Sequence, residues 1–466
     1  MKNLQRRIWA FFFLPFILLT GCVQTQTEQG IPSATTPDTT PEITLENIDE
    51  IPPREDERTI ITLSAGTTID PYGISHAVTA FNNTNPDYYV EIITRPDGVS
   101  AQDYWARETL EIMAGEGPDI FTKNQQSSFM TYVNKGVIED LAPYIERDIQ
   151  IENYLPESLY AYEYNGKVYG IEADFSLSLM VGSKEIFGEA SGWTLDDAIE
   201  LMEQSPRLLA FTNNSTPGYI LKLMLTYGSV SINDYDKIRS CIEFDKMYNK
   251  SLPPDTPVIP GQTVLVAQEQ IRQPISWADI EALYAQELTP IGYINEQQVG
   301  ILHASTAWSI NAASKNKEGA WEFLKFILSE EYQRKRNEDC QYFYDFSPLK
   351  ELITEQLEFY SKPLQTISYI DPDSGETVTY IRGHFLSRAG ASEYSSAKEI
   401  EYMSPEQLQM IETLIRRGKV NCFSWDEIAM RIILEEAQVY FNDGCTLDTA
   451  MKNIESRIEL YISETQ

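Results

Sequence analysis

Basic residues are scarce: 36 Lys and Arg stand against 70 Asp and Glu in 466 residues, a formal net charge of −34. A surplus of that sign repels phosphates, so it argues against a nucleic-acid partner while saying nothing about fold. Histidine is rarer still. His76, His303 and His384 are solitary, which leaves a histidine-rich metal site without support. The five cysteines include no CxxC pair and no metal-ligand spacing. No G-x-S-x-G elbow, Walker A loop or H-E-x-x-H helix occurs, so the short signatures of three common chemistries are missing. No catalytic residue, metal ligand or cofactor is nominated. The apolar run near the start, Ile8 to Thr20, covers about 20 Å as a helix, short of a ~30 Å hydrocarbon core.

What is present suffices for packed domains. The chain is 42% hydrophobic and 11% aromatic, which rules out wholesale disorder, and its length predicts two or three domains. Lys2, Arg6 and Arg7 precede the apolar run, the order of an export signal. Leu19-Thr20-Gly21-Cys22 directly follows it and resembles the bacterial lipobox. That resemblance implies a signal peptide over 1–21, cleavage before Cys22 and a diacylglycerol on its thiol. Two acyl chains anchor stably where one is marginal. The mature chain, from Cys22, is then expected on the outer face of a bacterial cell membrane, with palmitate among its lipids and a Gram-positive source. Residues 22–57 comprise the lipidated Cys and a linker whose five prolines, nine acids and lack of aromatics predict disorder.

From residue 58 the pattern changes. Thr59 to Gly66 reads as a buried strand, a helix follows from near Ile74, and Tyr89 to Thr94 forms a second strand. Strand, helix and strand in so short a span predict a βαβ unit and a parallel sheet covered by helices. A further helix over Ala101 to Ala114 leads to a short strand at Ile120-Phe121. Ser404-Pro405-Glu406-Gln407 and Ser424-Trp425-Asp426-Glu427 are capping boxes, and Thr446 is placed to cap a last helix carrying Ala450, Ile454 and Ile458. Ala320, Trp321, Leu324, Ile327 and Leu328 form an amphipathic stripe. No short-period repeat appears, and a body of this size divides naturally into two lobes.

The ordered series Gly117-Pro118-Asp119-Ile120, Asn134-Lys135-Gly136-Val137, Asn165-Gly166-Lys167-Val168-Tyr169-Gly170-Ile171, Gly192-Trp193-Thr194 and Ile310-Asn311-Ala312-Ala313-Ser314 resembles the extracellular solute-binding proteins of carbohydrate ABC transporters. The resemblance implies an α/β fold: a two-lobed, periplasmic-binding-protein-like clamp of type II, similar to maltose-binding protein, with hinge-linked lobes. The implied division is 58–172 plus about 303–350 for the N-terminal lobe and 173–302 plus about 351–466 for the C-terminal lobe. Crossings are expected near Ile171 to Phe175, before Ile310 and after Cys340. The implied role is capture of a sugar or oligosaccharide in the interlobe cleft by a monomer, and delivery to ABC permease subunits. The segments Ser229 to Gln273 and Asp371 to Ala397 depart from the family pattern.

A sugar offers hydroxyls at its rim and C–H groups on its faces, so carboxylates, amides and aromatic rings at loop ends are its natural contacts. Asp174 falls where family members carry an acidic hinge residue. Trp277 matches a stacking-ring position. Asn213 and Asn214 follow a strand, Trp425 opens a helix, and Asp70 and Tyr72 lie in the loop after the first strand, where open α/β sheets hold ligands. Each has a plainer reading as packing, capping or turn residue. Cys241, Cys340, Cys422 and Cys445 either pair after export or serve as small buried hydrophobes. The competing functions are a surface-anchored glycoside hydrolase, which needs a carboxyl pair that no spacing reveals, and a sensor or adhesion module using the same clamp.

Overall fold

Two separate sheets organise the chain, and the polypeptide passes between them three times. The computed structural model describes residues 58–64, 74–122, 129–188, 192–204, 210–211, 217–227, 230–251, 265–284, 286–294, 301–303, 307–339, 345–362, 365–370, 377–382, 402–420 and 427–465. The leader, Cys22 and the linker lie outside the described residues, as do Asp70, Tyr72, Asn213, Asn214, Cys340, Cys422 and the Ser424 capping box with Trp425.

β1 (Thr59–Ser64), α1 (Ile74–Thr84) and β2 (Tyr88–Ile93) form a parallel βαβ unit with Ile61 opposite Val90. Alternation sends Ile61 and Leu63 into the core beside Ala77, Val78 and Phe81 of the helix. α2 (Ala101–Met113) leads to β3 (Ile120–Thr122), which joins β1 in parallel. Helices α3 (Phe129–Lys135), α4 (Ala142–Asp148) and α5 (Pro156–Leu159) follow. A hairpin of β4 (Glu163–Tyr164) and β5 (Lys167–Val168) turns through Asn165 and Gly166, both at positive φ. An Asn-Gly pair suits such a two-residue turn, because both positions need the left-handed region.

The chain then enters the second sheet through β6 (Ser176–Ser183), buried along its whole length. After α6 (Lys184–Phe187) and α7 (Leu195–Gln204) come β7 (Ala210–Phe211), α8 (Tyr219–Thr226) and α9 (Tyr235–Ser251). The wholly buried Asp245 of α9 accepts the backbone N–H groups of Gly218, Ile220 and Leu221, and so caps α8 from outside. β8 (Leu265–Ile271), α10 (Ile275–Tyr284), β9 (Leu288–Pro290) and β10 (Ile301–His303) follow, with all three strands antiparallel to β6.

β11 (Trp308–Ile310) returns to the first sheet, which has the order β11-β3-β1-β2. α11 (Lys317–Leu328) buries its stripe of Ala320, Trp321, Phe323, Leu324, Ile327 and Leu328 against that sheet, and α12 (Glu330–Asp339) adds Tyr332 to the same core. A third pass leads to α13 (Lys350–Tyr360), the hairpin of β12 (Gln365–Ile370) and β13 (Thr377–Arg382), and α14 (Pro405–Arg417). The Ser404 capping box closes as its sequence predicts, with Gln407 N donating to Ser404 Oγ at 3.2 Å and Ser404 N to Gln407 Oε1 at 2.9 Å. β14 (Lys419–Val420) completes the second sheet, β14-β10-β6-β8-β7. α15 (Glu427–Phe441) and α16 (Leu447–Thr465) pack on α8 and α9, burying Ala450, Ile454 and Ile458. Cys241 and Cys445 are free thiols. Among the described residues no helix is long and apolar enough to cross a membrane.

Candidate functional site

Register locates the strand ends that adjoin the chain crossings. Thr122 at the end of β3 lies opposite Trp308 at the start of β11, and Trp308 exchanges backbone bonds with Ile171 at 2.9 and 3.1 Å. In the other sheet, Ser176 at the start of β6 lies opposite His303, and Leu177 opposite Ile271. β7 runs with β8, and β14 with β10. The carboxyl ends of β1, β3, β7, β8, β10 and β14 therefore all point to the crossings, which is where open α/β sheets bind ligands. The segments bearing Asp70 and Tyr72, Asn213 and Asn214, and Trp425 leave β1, β7 and β14 at those ends.

Two crossings are laced together. Phe175 and Phe346 exchange backbone bonds of 2.9 and 2.8 Å, and their rings stack with centroids 5.6 Å apart. Between this bridge and the one at Ile171 lie Glu172, Ala173 and Asp174. Gln333 of α12 donates to the Ala173 carbonyl at 2.8 Å, and Arg336 Nη1 meets Asp174 Oδ2 at 2.6 Å. The Arg336 side chain is 5% exposed, so its guanidinium is desolvated and Asp174 is its counter-charge. Burial works against the Arg336 charge, yet Asp174, Tyr332 and Asp345 keep its pKa above the ordinary value. Burial pushes the Asp345 carboxyl up to about 7, aided by the charge of Asp174 and opposed by Arg272 and Arg336. A cavity of about 30 Å³ beside this cluster is lined by Glu172, Asp174, Trp308, Tyr332 and Arg336, among others. It has room for a water, not a sugar.

Polar groups also gather at the strand ends. Ser64, the last residue of β1, lies 3.0 Å from the Tyr104 hydroxyl and donates to the buried carboxylate of Glu108. In the second sheet, Gln270 Nε2 near the end of β8 donates to Ser176 Oγ at the start of β6 at 2.7 Å. Amide, hydroxyl and carboxylate groups in this density can hold a polyhydroxylated ligand by paired hydrogen bonds.

Two nominated residues are described, and burial argues against a ligand contact for Trp277. Trp277 is 2% exposed and belongs to the apolar cluster with Leu177, Leu179, Ile271 and Leu302. It presents no ring face to a cleft. It lies in the first turn of α10 on the buried side, where its large apolar area is removed from water. Asp174 does lie at the first crossing, but one carboxylate oxygen is committed to Arg336. Sequence reasoning missed Arg336, Asp345, Glu108 and Ser64. Arg336 sits in a charged run that reads as solvent-facing, and its partner Asp174 is 162 positions away. Among the described residues no group of His, Cys, Asp and Glu could hold a metal ion.

Residues 76–344 match the family described as bacterial extracellular solute-binding protein. No curated protein matches the chain. Among solved structures, the ABC substrate-binding protein Lmo0181 of Listeria monocytogenes, in complex with cycloalternan, is similar with a TM-score of 0.52 at 18% identity, over 87% of this chain and 100% of its own. The sugar-binding protein MalE of Xanthomonas citri gives 0.52 at 14% identity, covering 87% and 98%. A solute-binding protein of Thermotoga lettingae bound with α-D-tagatose gives 0.50 at 13% identity, covering 86% and 98%. These likenesses identify a type II, periplasmic-binding-protein-like α/β fold. The family match extends over more than half of the sequence, and the chain belongs to the bacterial extracellular solute-binding proteins.

Proposed function

We propose that this chain captures a sugar or oligosaccharide between its two lobes and delivers it, chemically unchanged, to the permease of an ABC transporter. The observation that carries the reading is topological: strand ends from two sheets adjoin the three chain crossings, with hydroxyl and carboxylate groups on one side and amide and hydroxyl groups on the other. The ligands of the Listeria and Thermotoga proteins, cycloalternan and tagatose, lend it support. Asp70, Tyr72, Asn213, Asn214 and Trp425 are the proposed ligand contacts, since their segments continue the strands that end at the crossings. Asp174 is proposed as a residue that shapes the hinge beside the ligand. The lobes are taken as 58–172 with about 303–350, and 173–302 with about 351–466, with His303 still paired to the second sheet at that boundary. Cys22 is the proposed lipid attachment site, holding the protein on the outer face of the membrane.

Titration calorimetry against a panel of mono- and oligosaccharides tests the first claim. Micromolar binding, about −8 kcal/mol, without release of reducing sugar is the expected result. Turnover of a glycan would favour a hydrolase instead. A Cys22→Ala chain is expected in the medium, without incorporated palmitate. Retention at the membrane would refute the anchor.

A further inference from the structure

The connection between the sheets holds an ionic cluster drawn from four segments. Asp174 comes from the first crossing, Asp345 from the third, Arg336 from α12 and Arg272 from the residue after β8. Through Tyr332, α12 belongs to the core of the first sheet, whereas Arg272 is continuous with the second. Arg336 and Asp174 are clasped at 2.6 Å, but Arg272 Nε reaches Asp345 Oδ1 only at 3.8 Å. The Arg272 side chain is 60% exposed and that of Asp345 16%. A rotation between the sheets would alter both the reach of Arg272 and the access of water to Asp345.

We propose that Asp345 is a proton-linked element of the hinge, protonation favouring the described approach of the two sheets and ionisation favouring an arrangement that hydrates it. The proposal rests on the two-lobed clamp reading, but not on which ligand the clamp takes. The groups facing Asp345 are Asp174, Arg272 and Arg336. Farther along the first crossing lie Glu172 and Tyr162, whose hydroxyl is 3.4 Å from it. On the side of α12 stand Tyr332 and, 3.5 Å from its hydroxyl, His76 of α1. The carboxyl is raised to about 7, mainly by burial. Its contribution is thus fully present below the ordinary carboxylate range and lost as pH rises through about 7. If opening restores a hydrated carboxyl, the ratio of described to opened forms changes about tenfold between pH 6 and pH 8. An exported protein would carry this response to external pH within its hinge.

The test is the distance between spin labels introduced through unnatural amino acids at the exposed positions Glu91 and Lys452 of the full chain, without ligand. The population at the described separation is expected to rise as pH falls from 8 to 6. Asp345→Asn, which imitates the protonated group, should hold that population high throughout. Arg272→Gln, at an exposed position that leaves folding intact, should move the midpoint to higher pH, because it removes a cation that favours ionisation. His76→Gln should leave the profile unchanged. A flat profile in the native chain, or an undiminished slope in Asp345→Asn, overturns the proton link and leaves the sugar reading standing. Absence of sugar binding with the pH response intact would do the reverse.

Discussion

Trp277→Ala separates the packing account of this residue from a ligand-contact account. The ring is 2% exposed, in a cluster with Leu177, Leu179, Ile271 and Leu302. A buried Trp removes about 150–250 Å² from water, which at about 25 cal/mol per Å² corresponds to roughly 4–6 kcal/mol as an upper value. Measured truncations of buried Trp and Phe fall at about 3–5 kcal/mol. Since α10 packs on β6 and β8, the loss belongs to the second sheet and its helices. Urea unfolding followed by circular dichroism should show a midpoint lowered by roughly 1 M or more, given slopes of about 1–3 kcal/mol per M. Saccharide affinity of the remaining folded protein should be unchanged, and Trp277→Phe should recover part of the stability. The refuting result is an unaltered unfolding curve together with binding weakened by about 1 kcal/mol or more, the effect of a lost stacking face.

Other substitutions probe the supports of each sheet. Asp148 accepts the indole N–H of the fully buried Trp321 at 2.7 Å, so Asp148→Ala should cost about 1–3 kcal/mol at neutral pH by leaving that donor without an acceptor. Arg147, then Trp321, hold this carboxyl below its ordinary range; its contribution is present above that range and is lost as pH falls through the lowered value, so the difference between the proteins should shrink in acid denaturation series. Gly319→Ala should destabilise by about 1–3 kcal/mol despite the better helix former, because a Cβ there collides with Tyr88 and Ile61 where α11 crosses the first sheet; a raised melting temperature would contradict the close approach. Asp245→Ala should cost about 3 kcal/mol or more, measured by chemical unfolding, since three backbone N–H groups of α8 lose one buried acceptor. Asp245→Asn, which keeps an acceptor oxygen, should cost less.

Much of the secondary structure was legible because its causes are local. The apolar run Thr59 to Ser64, the Ser404 box and the α11 stripe each act over a few residues. Trp277 marks where that logic ends. An aromatic residue at the start of a helix is consistent with either a ring facing a ligand or a ring in the core, and burial decides between them. Glu108 and Arg336 give the complementary case: charged residues in helices look solvated until the chain that buries them is known.

The amino-acid order on its own determined an α/β body with a parallel βαβ start and the capped helix α14, because short-range sterics and periodic burial act within single elements. Which groups meet at the crossings was decided only by tertiary packing. Asp174 and Arg336, Asp345 and Arg272, and Ser176 and Gln270 are far apart along the chain. The first two pairs follow from the returns of the polypeptide between two sheets and the third from the pairing of β6 with β8, and no local preference encodes which distant residue is brought alongside.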